Sequence, residues 1–505
     1  MNGRRAAALQ GAGAAALGAL QTLAFVHTGL WWLALLCIAA LAALVWRAAP
    51  LRAALLGWLF GSAWLGAGVW WLFISLHRYG GLPAWLAALA VALLSMGLSL
   101  YLALAMALFA RWRCGRALLD AALFAALWLL AELARTVIFT GFPWLASGYA
   151  QLDGPLAAWA PWLGANGIGL LAALLGALLA QAWHRRSVLL LGLALALPAL
   201  SAWVGTRDFS APAGELSVSL LQGNVPQDEK FKLEYVPQAM AWLARAASHA
   251  RGQLVVAPET AVPLLPEQLA DLAPEYWPAL RARFEAGQQA ALIGVPLGDE
   301  RSGYTNSVAG LSAATRGTAP YRYDKAHLVP FGEFVPSGFR WFTQMMNIPL
   351  GDFARGPVNA PSFAVHGQRI APNICYEDLF GTELAQRFID PAGAPTIFAN
   401  LSNIGWFGDT IAVPQHLNIS RMRALEFQRP VLRATNTGAT AIIDHRGVVL
   451  AQLAPFTQGV LEGRVQGREG ITPFAWWSAR FGLWPWWLLA GTVLAASAWV
   501  RRGVS

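Results

Sequence analysis

Apolar runs that approach the roughly 17–25 residues needed to cross a bilayer recur along the chain. The first is the weakest, because it is rich in Ala and Gly and follows Arg4 and Arg5 as a signal peptide would. The pattern predicts an α-helical membrane bundle of about eight transmembrane helices, seven within residues 1–205 and one within residues 471–505. The runs fall at residues 7–27, 30–46, 53–75, 83–110, 117–138, 157–182, 187–205 and 483–500.

Residues 206–470 have a different pattern, in which short apolar runs alternate with amphipathic stretches. This alternation predicts an α/β layered domain of about 260 residues. Helix-like stretches fall at residues 232–250, 275–289 and 412–427. Strand-like runs fall at Leu216–Gln222, Gln253–Ala257, Ala290–Val295, Ser307–Leu311, Gln368–Ile374, Thr396–Ala399, Val431–Ala434, Thr440–Asp444 and Gly459–Val465.

The composition also indicates a membrane protein. The chain is 57% hydrophobic and only 12% charged, and its mean hydropathy is +0.47. An ordinary soluble domain has about 25% charged residues. The net charge of +9 does not indicate a nucleic-acid surface, because no run of Arg and Lys is interleaved with aromatic residues.

Basic residues at the ends of the apolar runs alternate between two sides of the predicted membrane. Only Arg78 and Arg135 fall in the short loops of one side. By the positive-inside rule, both termini are predicted to be cytoplasmic and the polar block to be extracytoplasmic. In a bacterium this places the block on the periplasmic face of the inner membrane. The opposite side carries Arg4, Arg5, Arg47, Arg52, Arg111, Arg113, Arg116, Arg185, Arg186, Arg501 and Arg502.

Charged residues inside the apolar runs are few, and Asp120, Glu132 and Arg135 are the clearest. Ionisable groups at such positions are functional candidates by default. Glu132 and Arg135 are three residues apart and therefore share a helical face. We predict that they pair and anchor the helix, which is a structural role.

The three cysteines, Cys37, Cys114 and Cys375, are predicted to occupy different compartments, so no disulfide is expected. A metal site is not expected either. The polar block's histidines lack the spacing of metal ligands, and no cysteine accompanies them at zinc-site intervals. These histidines are His327, His366, His416 and His445.

Three candidate catalytic residues each follow a strand-like run, in the chain order Glu259, Lys325, Cys375. A free thiol has a pKa of about 8.5 and requires a neighbouring base or cation to react as a nucleophile. Glu259 is suited to accept its proton, and Lys325 to stabilise negative charge. The backbone N–H of Tyr376 is a further donor for an oxyanion. Each motif alone is more often structural, whereas the three together are far more specific.

The motifs in this block resemble those of the nitrilase, or carbon–nitrogen hydrolase, superfamily, whose hallmark is a Glu-Lys-Cys triad. With the surrounding apolar runs, nearly the whole chain resembles the bacterial apolipoprotein N-acyltransferase family. The resemblance implies an αββα sandwich for residues 206–470. The motifs are Gln222–Gln227, Pro258–Thr260, Tyr323–Lys325, Leu328–Glu333, Asn373–Glu377, Asn400–Asn403, Trp406–Phe407, Arg433–Gly438 and, in the membrane part, Thr140–Trp144.

The resemblance implies a role for each matching residue of the triad. Glu259 corresponds to the general base, Lys325 to the charge-stabilising lysine and Cys375 to the acylated nucleophile. Glu333 corresponds to a second essential acid that helps to hold the site. No cofactor is implied.

Other residues beside the cysteine also match the family, with one departure. Tyr376 and Glu377 correspond to residues that the family requires there. Phe231 stands where the family often has Trp, so an apolar ring is kept and the indole donor is lost. Substrate handling is unaffected if the family's Trp acts by stacking and is in doubt if it acts by hydrogen bonding.

The implied reaction is a ping-pong acyl transfer. Cys375 takes an acyl chain from a membrane phospholipid, with phosphatidylethanolamine the usual donor in the family. The thioester then passes the chain to the α-amine of the N-terminal diacylglyceryl-cysteine of an apolipoprotein. An alternative is a membrane-tethered nitrilase-like amidase that uses water as acceptor. A transporter or scaffold is disfavoured, because charges within the spans are scarce and no half-repeat is visible.

One apolar stretch inside the polar block, Phe339–Leu350, stands out. We hypothesise that it is an arm or lid that touches the membrane, with Trp341 and Met345 in contact with lipid. An ordinary core helix is an equally good interpretation of the same residues.

Overall fold

The computed structural model describes residues 3–299, 301, 303–335 and 353–503. Within it the chain forms two compact units. The first contains Met1–Phe73, Pro83–Asp208 and Phe481–Ser505, and the second contains Ile74–Leu82 and Phe209–Arg480. Ile74–Leu82, from the apolar part of the chain, groups with the second unit. The arm candidates Trp341 and Met345 lie outside the described residues, so the arm stays a hypothesis.

The first unit is helical, and its apolar sequence dictates this because a backbone in lipid must satisfy its own hydrogen bonds. In the described part of the chain, five helices are long and apolar enough to cross a membrane, or up to seven if two bent pairs each count as one span. Val188–Val204 is apolar but shorter. The prediction of a helical membrane bundle is confirmed. The helices are Gly3–Gln21, Leu23–Val26, Trp31–Val45, Pro50–Val69, Ala84–Leu98, Leu100–Trp112, Ala117–Val137, Ala160–Arg185, Val188–Val204 and Trp484–Arg502.

The predicted Glu132–Arg135 pair forms, with 3.9 Å between the guanidinium and the carboxylate. Glu132 Oε1 also accepts hydrogen bonds from the Ser147 amide at 2.8 Å and the Ser147 hydroxyl at 2.6 Å. Arg135 donates to the Leu145 carbonyl at 3.1 Å. The two charged side chains therefore attach the segment containing Leu145 and Ser147 to the helix Ala117–Val137. This is the structural, anchoring role that was predicted.

The second unit contains two six-stranded sheets, in the orders β12-β1-β2-β3-β4-β5 and β11-β10-β9-β8-β7-β6. The helices are Val236–His249, Pro266–Leu272, Tyr276–Ala286, Gly381–Leu384, Ala412–Phe427 and Pro473–Phe481. The strands are β1 (Ser210–Gln222), β2 (Leu254–Val256), β3 (Ala290–Asp299), β4 (Gly303–Leu311), β5 (Tyr321–Asp324), β6 (Phe363–Val365), β7 (Gln368–Ile374), β8 (Ile397–Ser402), β9 (Val431–Thr435), β10 (Ala441–Ile443), β11 (Val449–Gln452) and β12 (Gly459–Gly470).

Three hydrophobic cores stabilise the packing of these strands and helices. Side chains such as Val256, Ile374 and Leu401 fill the core between the two sheets. A second core packs Leu243, Phe284 and other residues of the helices outside the first sheet. A third packs the helix Ala412–Phe427 on the outer face of the second sheet. The order is helix, sheet, sheet, helix, which confirms the predicted αββα sandwich.

The strand directions bring the candidate residues to one edge. β1, β2 and β3 are parallel, and β5 runs in the same direction because β4 is antiparallel to both β3 and β5. In the other sheet β7, β8 and β9 are parallel. The carboxyl ends of parallel strands share an edge of their sheet. Residues that follow β2 and β5 therefore meet on one sheet, and those that follow β7, β8 and β9 meet on the other.

Candidate active site

Lys325, directly after β5, lies between two carboxylates. Its side chain is 1% exposed, and its Nζ is 2.9 Å from Glu333 Oε1 and 3.4 Å from Glu259 Oε1. Burial alone lowers the pKa of Lys325, but the charges of Glu333 and Glu259 outweigh it and raise the pKa above its ordinary value. The lysine is therefore a fixed cation that holds both acids.

Asn306 on β4 is a second link between the same two acids, and the sequence analysis missed it. Its Nδ2 donates to Glu259 Oε1 at 2.7 Å and to Glu333 Oε1 at 2.8 Å. Its carbonyl accepts the backbone N–H of Lys325 at 2.8 Å. The sequence did carry a signal for this residue, because Asn306 directly precedes the strand-like run Ser307–Leu311. An amide buried at such a position requires hydrogen-bond partners.

The loop that carries Glu259 follows β2 and is held from three directions. The backbone N–H of Asn403, after β8 of the other sheet, donates to Glu259 Oε2 at 2.8 Å. The buried Lys230 donates from Nζ to the Glu259 carbonyl at 2.8 Å. On β3, Gly294 allows the loop to approach closely, because a Cβ there would lie 2.2 Å from the Pro258 carbonyl oxygen. Lys230 was also missed, and burial lowers its pKa to about 8.

Cys375 directly follows β7, at the start of a short 3₁₀ turn. Its φ of +51° is the left-handed conformation, which side-chain-bearing residues rarely adopt and which is frequent at functional sites. Burial and, to a smaller extent, the Glu259 charge raise the pKa of its thiol to about 12, although Lys325 and the Ser402 hydroxyl act in the opposite direction. At neutral pH the resting side chain is therefore a thiol, and a nucleophilic role for it would require a base that removes its proton.

Glu377 joins the loop of the lysine to the loop of the cysteine. Its Oε1 accepts the backbone N–H groups of Ala326 at 2.7 Å and His327 at 3.1 Å. Its Oε2 accepts the Tyr323 hydroxyl at 2.7 Å and the backbone N–H of Ile374 at 2.6 Å. Burial raises the pKa of Glu377, although these hydrogen bonds oppose the shift. The carboxylate thus fixes the end of β5 relative to the end of β7.

Aromatic rings surround these loops. Tyr376 is 5% exposed and packs edge-on against Phe380, with 5.3 Å between ring centroids. Phe231 is partly buried and stacks on Trp406, with centroids 6.5 Å apart and an interplanar angle of 29°. Tyr79, from Ile74–Leu82, meets Trp406 edge-on at 5.7 Å. Phe231 therefore makes a stacking contact with Trp406, which needs an aromatic ring but no indole N–H.

Among the residues that the structure describes, no group of His, Cys, Asp and Glu has an arrangement that suits a metal ion. His416, considered in the sequence analysis only as a metal ligand, lies beside Cys375 instead, with its Nε2 3.2 Å from the Cys375 carbonyl oxygen.

Replacing Glu259 with Gln is expected to make the Cys375 thiol more reactive toward iodoacetamide while acyl transfer falls. Because the Glu259 charge raises the pKa of the thiol, its removal lowers that pKa and increases the thiolate fraction at pH 8. We expect alkylation to accelerate several-fold, measured by mass spectrometry of the peptide containing Cys375. Asp271, an acidic residue of the helix Pro266–Leu272, provides a matched control as Asp271→Asn. Slower alkylation in Glu259→Gln would contradict the assigned electrostatics.

Two family models match the chain. The carbon-nitrogen hydrolase model matches residues 217–471, which contain Glu259, Lys325 and Cys375. A model described as the apolipoprotein N-acyltransferase N-terminal domain matches residues 17–178, within the helical unit. The fold, the site and these matches define a class of protein: membrane-bound enzymes that carry a carbon-nitrogen hydrolase domain.

Proteins that are similar over most of the chain narrow this class to one family. A protein named apolipoprotein N-acyltransferase from Verminephrobacter eiseniae (strain EF01-2) is 55% identical over 489 residues, covering 90% of this chain and 89% of the relative. One of the same name from Ralstonia nicotianae is 48% identical over 495 residues, covering 97% and 93%. A solved carbon-nitrogen hydrolase from Helicobacter pylori G27 aligns with 55% of this chain and 95% of its own, at 15% identity and a TM-score of 0.36. The chain belongs to the apolipoprotein N-acyltransferase family.

Proposed function

We propose that this membrane-bound acyltransferase moves a fatty acyl chain from a phospholipid to Cys375, and then to the α-amine of the N-terminal diacylglyceryl-cysteine of an apolipoprotein. One observation carries the proposal: the buried Lys325 is bound by Glu259 and Glu333, and the Glu377 carboxylate joins the backbone after Lys325 to the backbone before Cys375. The names of the relatives support the acceptor, and the family resemblance supports phosphatidylethanolamine as the donor.

In the first half-reaction Glu259 accepts the proton of the Cys375 thiol as the sulfur attacks the ester carbonyl of the phospholipid. The oxyanion of the tetrahedral intermediate is stabilised by the Lys325 ammonium and the backbone N–H of Tyr376. The ester C–O bond then breaks, Glu259 returns its proton to the leaving alkoxide, and a lysophospholipid departs. The acyl chain remains on the sulfur as a thioester.

In the second half-reaction the neutral α-amine of the apolipoprotein attacks the thioester carbonyl. Glu259 accepts a proton from the attacking nitrogen, and the same donors stabilise the oxyanion. The C–S bond breaks, and the departing sulfur of Cys375 takes the proton from Glu259. The products are an N-acylated lipoprotein and the regenerated thiol, so no cofactor is consumed.

The remaining candidates have supporting roles in this scheme. Glu333 neutralises and orients the Lys325 ammonium. Glu377 keeps the end of β5 in register with the cysteine turn, and Tyr376 supplies the backbone donor beside the nucleophile. Phe231 contributes apolar surface through its stacking contact with a neighbouring indole.

The substrates and the distribution of arginines support a proposed location. Both substrates carry acyl chains, and moving these chains into water costs about 0.8 kcal/mol per CH₂ group. The alternation of basic residues supports a multi-pass inner-membrane protein with cytoplasmic termini and a periplasmic catalytic domain. Transfer then takes place at the lipid–water boundary.

The test is mass spectrometry of the purified chain in detergent after incubation with phosphatidylethanolamine. We expect an acyl adduct on the peptide that contains Cys375. A diacylglyceryl-cysteine peptide with a free α-amine should remove the adduct and yield an amide, whereas the same peptide with an acetylated amine should not. Release of free fatty acid at equal rates with both peptides would support the amidase alternative and contradict acyl transfer.

A further inference from the structure

The backbone carbonyl of Cys375 contacts two buried side chains through hydrogen bonds that the mechanism above does not use. His416 lies with Nε2 at 3.2 Å from this oxygen, and Asn400 donates from Nδ2 at 3.3 Å. His416 is 1% exposed and Asn400 is fully buried. Side chains in the protein interior thus fix the peptide group that follows the Cys375 side chain.

Arg433 determines which nitrogen of His416 carries the proton. A guanidinium N–H of Arg433 lies 2.7 Å from His416 Nδ1, and arginine can only donate. Nδ1 is therefore the acceptor, and the single proton of the neutral ring resides on Nε2, facing Cys375. Burial and the Arg433 charge both lower the pKa of His416 well below its ordinary value, so the ring stays neutral.

The same guanidinium orients Asn400. It donates to Asn400 Oδ1 at 3.2 Å, which turns the Asn400 amide nitrogen toward the Cys375 carbonyl. Arg433 is itself held by the Ser420 hydroxyl at 2.8 Å and lies 3.9 Å from the carboxylate of Asp378, with which Ser420 also forms a hydrogen bond. The buried guanidinium of Arg433 therefore orients both side chains that donate to the Cys375 carbonyl, His416 and Asn400.

Fixing this carbonyl has a consequence for the next amide. In a trans peptide the C=O and the following N–H point in opposite directions, so holding the Cys375 oxygen toward His416 directs the Tyr376 N–H the other way. Hydrogen bonds to a carbonyl also polarise its peptide group and strengthen the N–H as a donor. Cys375 is in the left-handed conformation at φ +51°, which needs such support because it is sparsely populated.

We propose that His416, held by Arg433, is a positioning residue that aims the Tyr376 N–H at the oxyanion. The inference rests on the proposed acyl transfer through Cys375. It assigns a role in acylation rather than in thiol ionisation, because His416 contacts the carbonyl oxygen of Cys375.

Two matched variants isolate this hydrogen bond. In His416→Asn the side-chain oxygen still accepts from Arg433, but the amide is too short to reach the Cys375 carbonyl. In His416→Gln the longer amide can donate to that carbonyl. The rate of acyl-enzyme formation from phosphatidylethanolamine requires the oxyanion site, whereas alkylation of the same thiol by iodoacetamide does not.

We expect His416→Asn to slow acyl-enzyme formation by about 10²-fold, the effect of losing one oxyanion donor, with alkylation within about twofold of the wild type. His416→Gln should recover most of the acylation rate. Equal loss of both reactions, or loss of neither, would overturn the proposal. If His416→Asn does not fold, Arg433→Lys tests the same link, because one ammonium cannot hold both His416 and Asn400. Wild-type enzyme that forms no acyl adduct would instead refute the proposed function itself.

Discussion

Replacing Cys375 with Ala should abolish the acyl adduct and lower lipoprotein N-acylation by at least about 10⁴-fold, as loss of a catalytic nucleophile does in other enzymes. The thermal unfolding temperature should change little, because the side chain is small and Cys and Ala both carry a Cβ at this left-handed backbone position. The measurement is formation of the N-acylated peptide from phosphatidylethanolamine, with unfolding followed in the same detergent.

The chain offers matched controls for this experiment. Cys37 and Cys114 are free thiols of the helical unit, one buried and one partly exposed. Cys37→Ala and Cys114→Ala should retain the adduct on the Cys375 peptide and full transfer activity. Residual N-acylation at more than about one hundredth of the wild-type rate in Cys375→Ala would contradict covalent catalysis.

Replacing Lys325 with Met should affect both activity and stability. The change leaves the carboxylates of Glu259 and Glu333 buried side by side without their cation, and breaking a buried ion pair costs about 3–5 kcal/mol. It also removes the proposed oxyanion donor, so acyl-enzyme formation should fall by about 10³-fold or more. The free energy of unfolding and the acylation rate are measured on the same preparation.

A double variant separates the two effects. Lys325→Met with Glu333→Gln removes one positive and one negative charge, so most of the lost stability should return while acylation stays absent. An active double variant would contradict the assigned role of the ammonium. A double variant as unstable as Lys325→Met would show that charge balance does not explain the loss.

The pH dependence of stability follows from the same ion pairs. The folded-state pKa of Lys325 is raised above the ordinary value of 10.5. Its contribution is fully present below pH 10.5 and is lost as the pH rises through the higher folded-state value. The stability difference between wild type and Lys325→Met should therefore be constant around neutral pH and shrink in strong alkali.

Much of the site was predictable because its residues follow strands. Glu259, Lys325 and Cys375 each follow a strand closely, and parallel strands bring such positions to a common edge. Two of the elements that were missed, β11 and the helix Pro266–Leu272, are short and largely exposed. They therefore lack the apolar pattern by which a strand or helix is recognised in a sequence.

The groups that surround the triad were not predictable in the same way. Asn306 contacts a carboxylate 47 residues away in the chain, and Lys230 contacts a carbonyl 29 residues away. His416 meets the carbonyl of Cys375 across 41 residues. An isolated amide, lysine or histidine in a sequence does not indicate its partner, because the partner is chosen by the order and direction of the strands.

Sequence alone determined the division into apolar helices and an α/β domain, since hydropathy and periodicity act over local stretches of chain. It also predicted the three candidate catalytic side chains, because their chemistry belongs to the residue types. Only the tertiary structure decided which donors hold the two carboxylates, that Ile74–Leu82 groups with the second unit, and which nitrogen of His416 bears its proton. These properties arise where segments that are distant in the chain come into contact. The charge and burial at such contacts cannot be read from the sequence around any one residue.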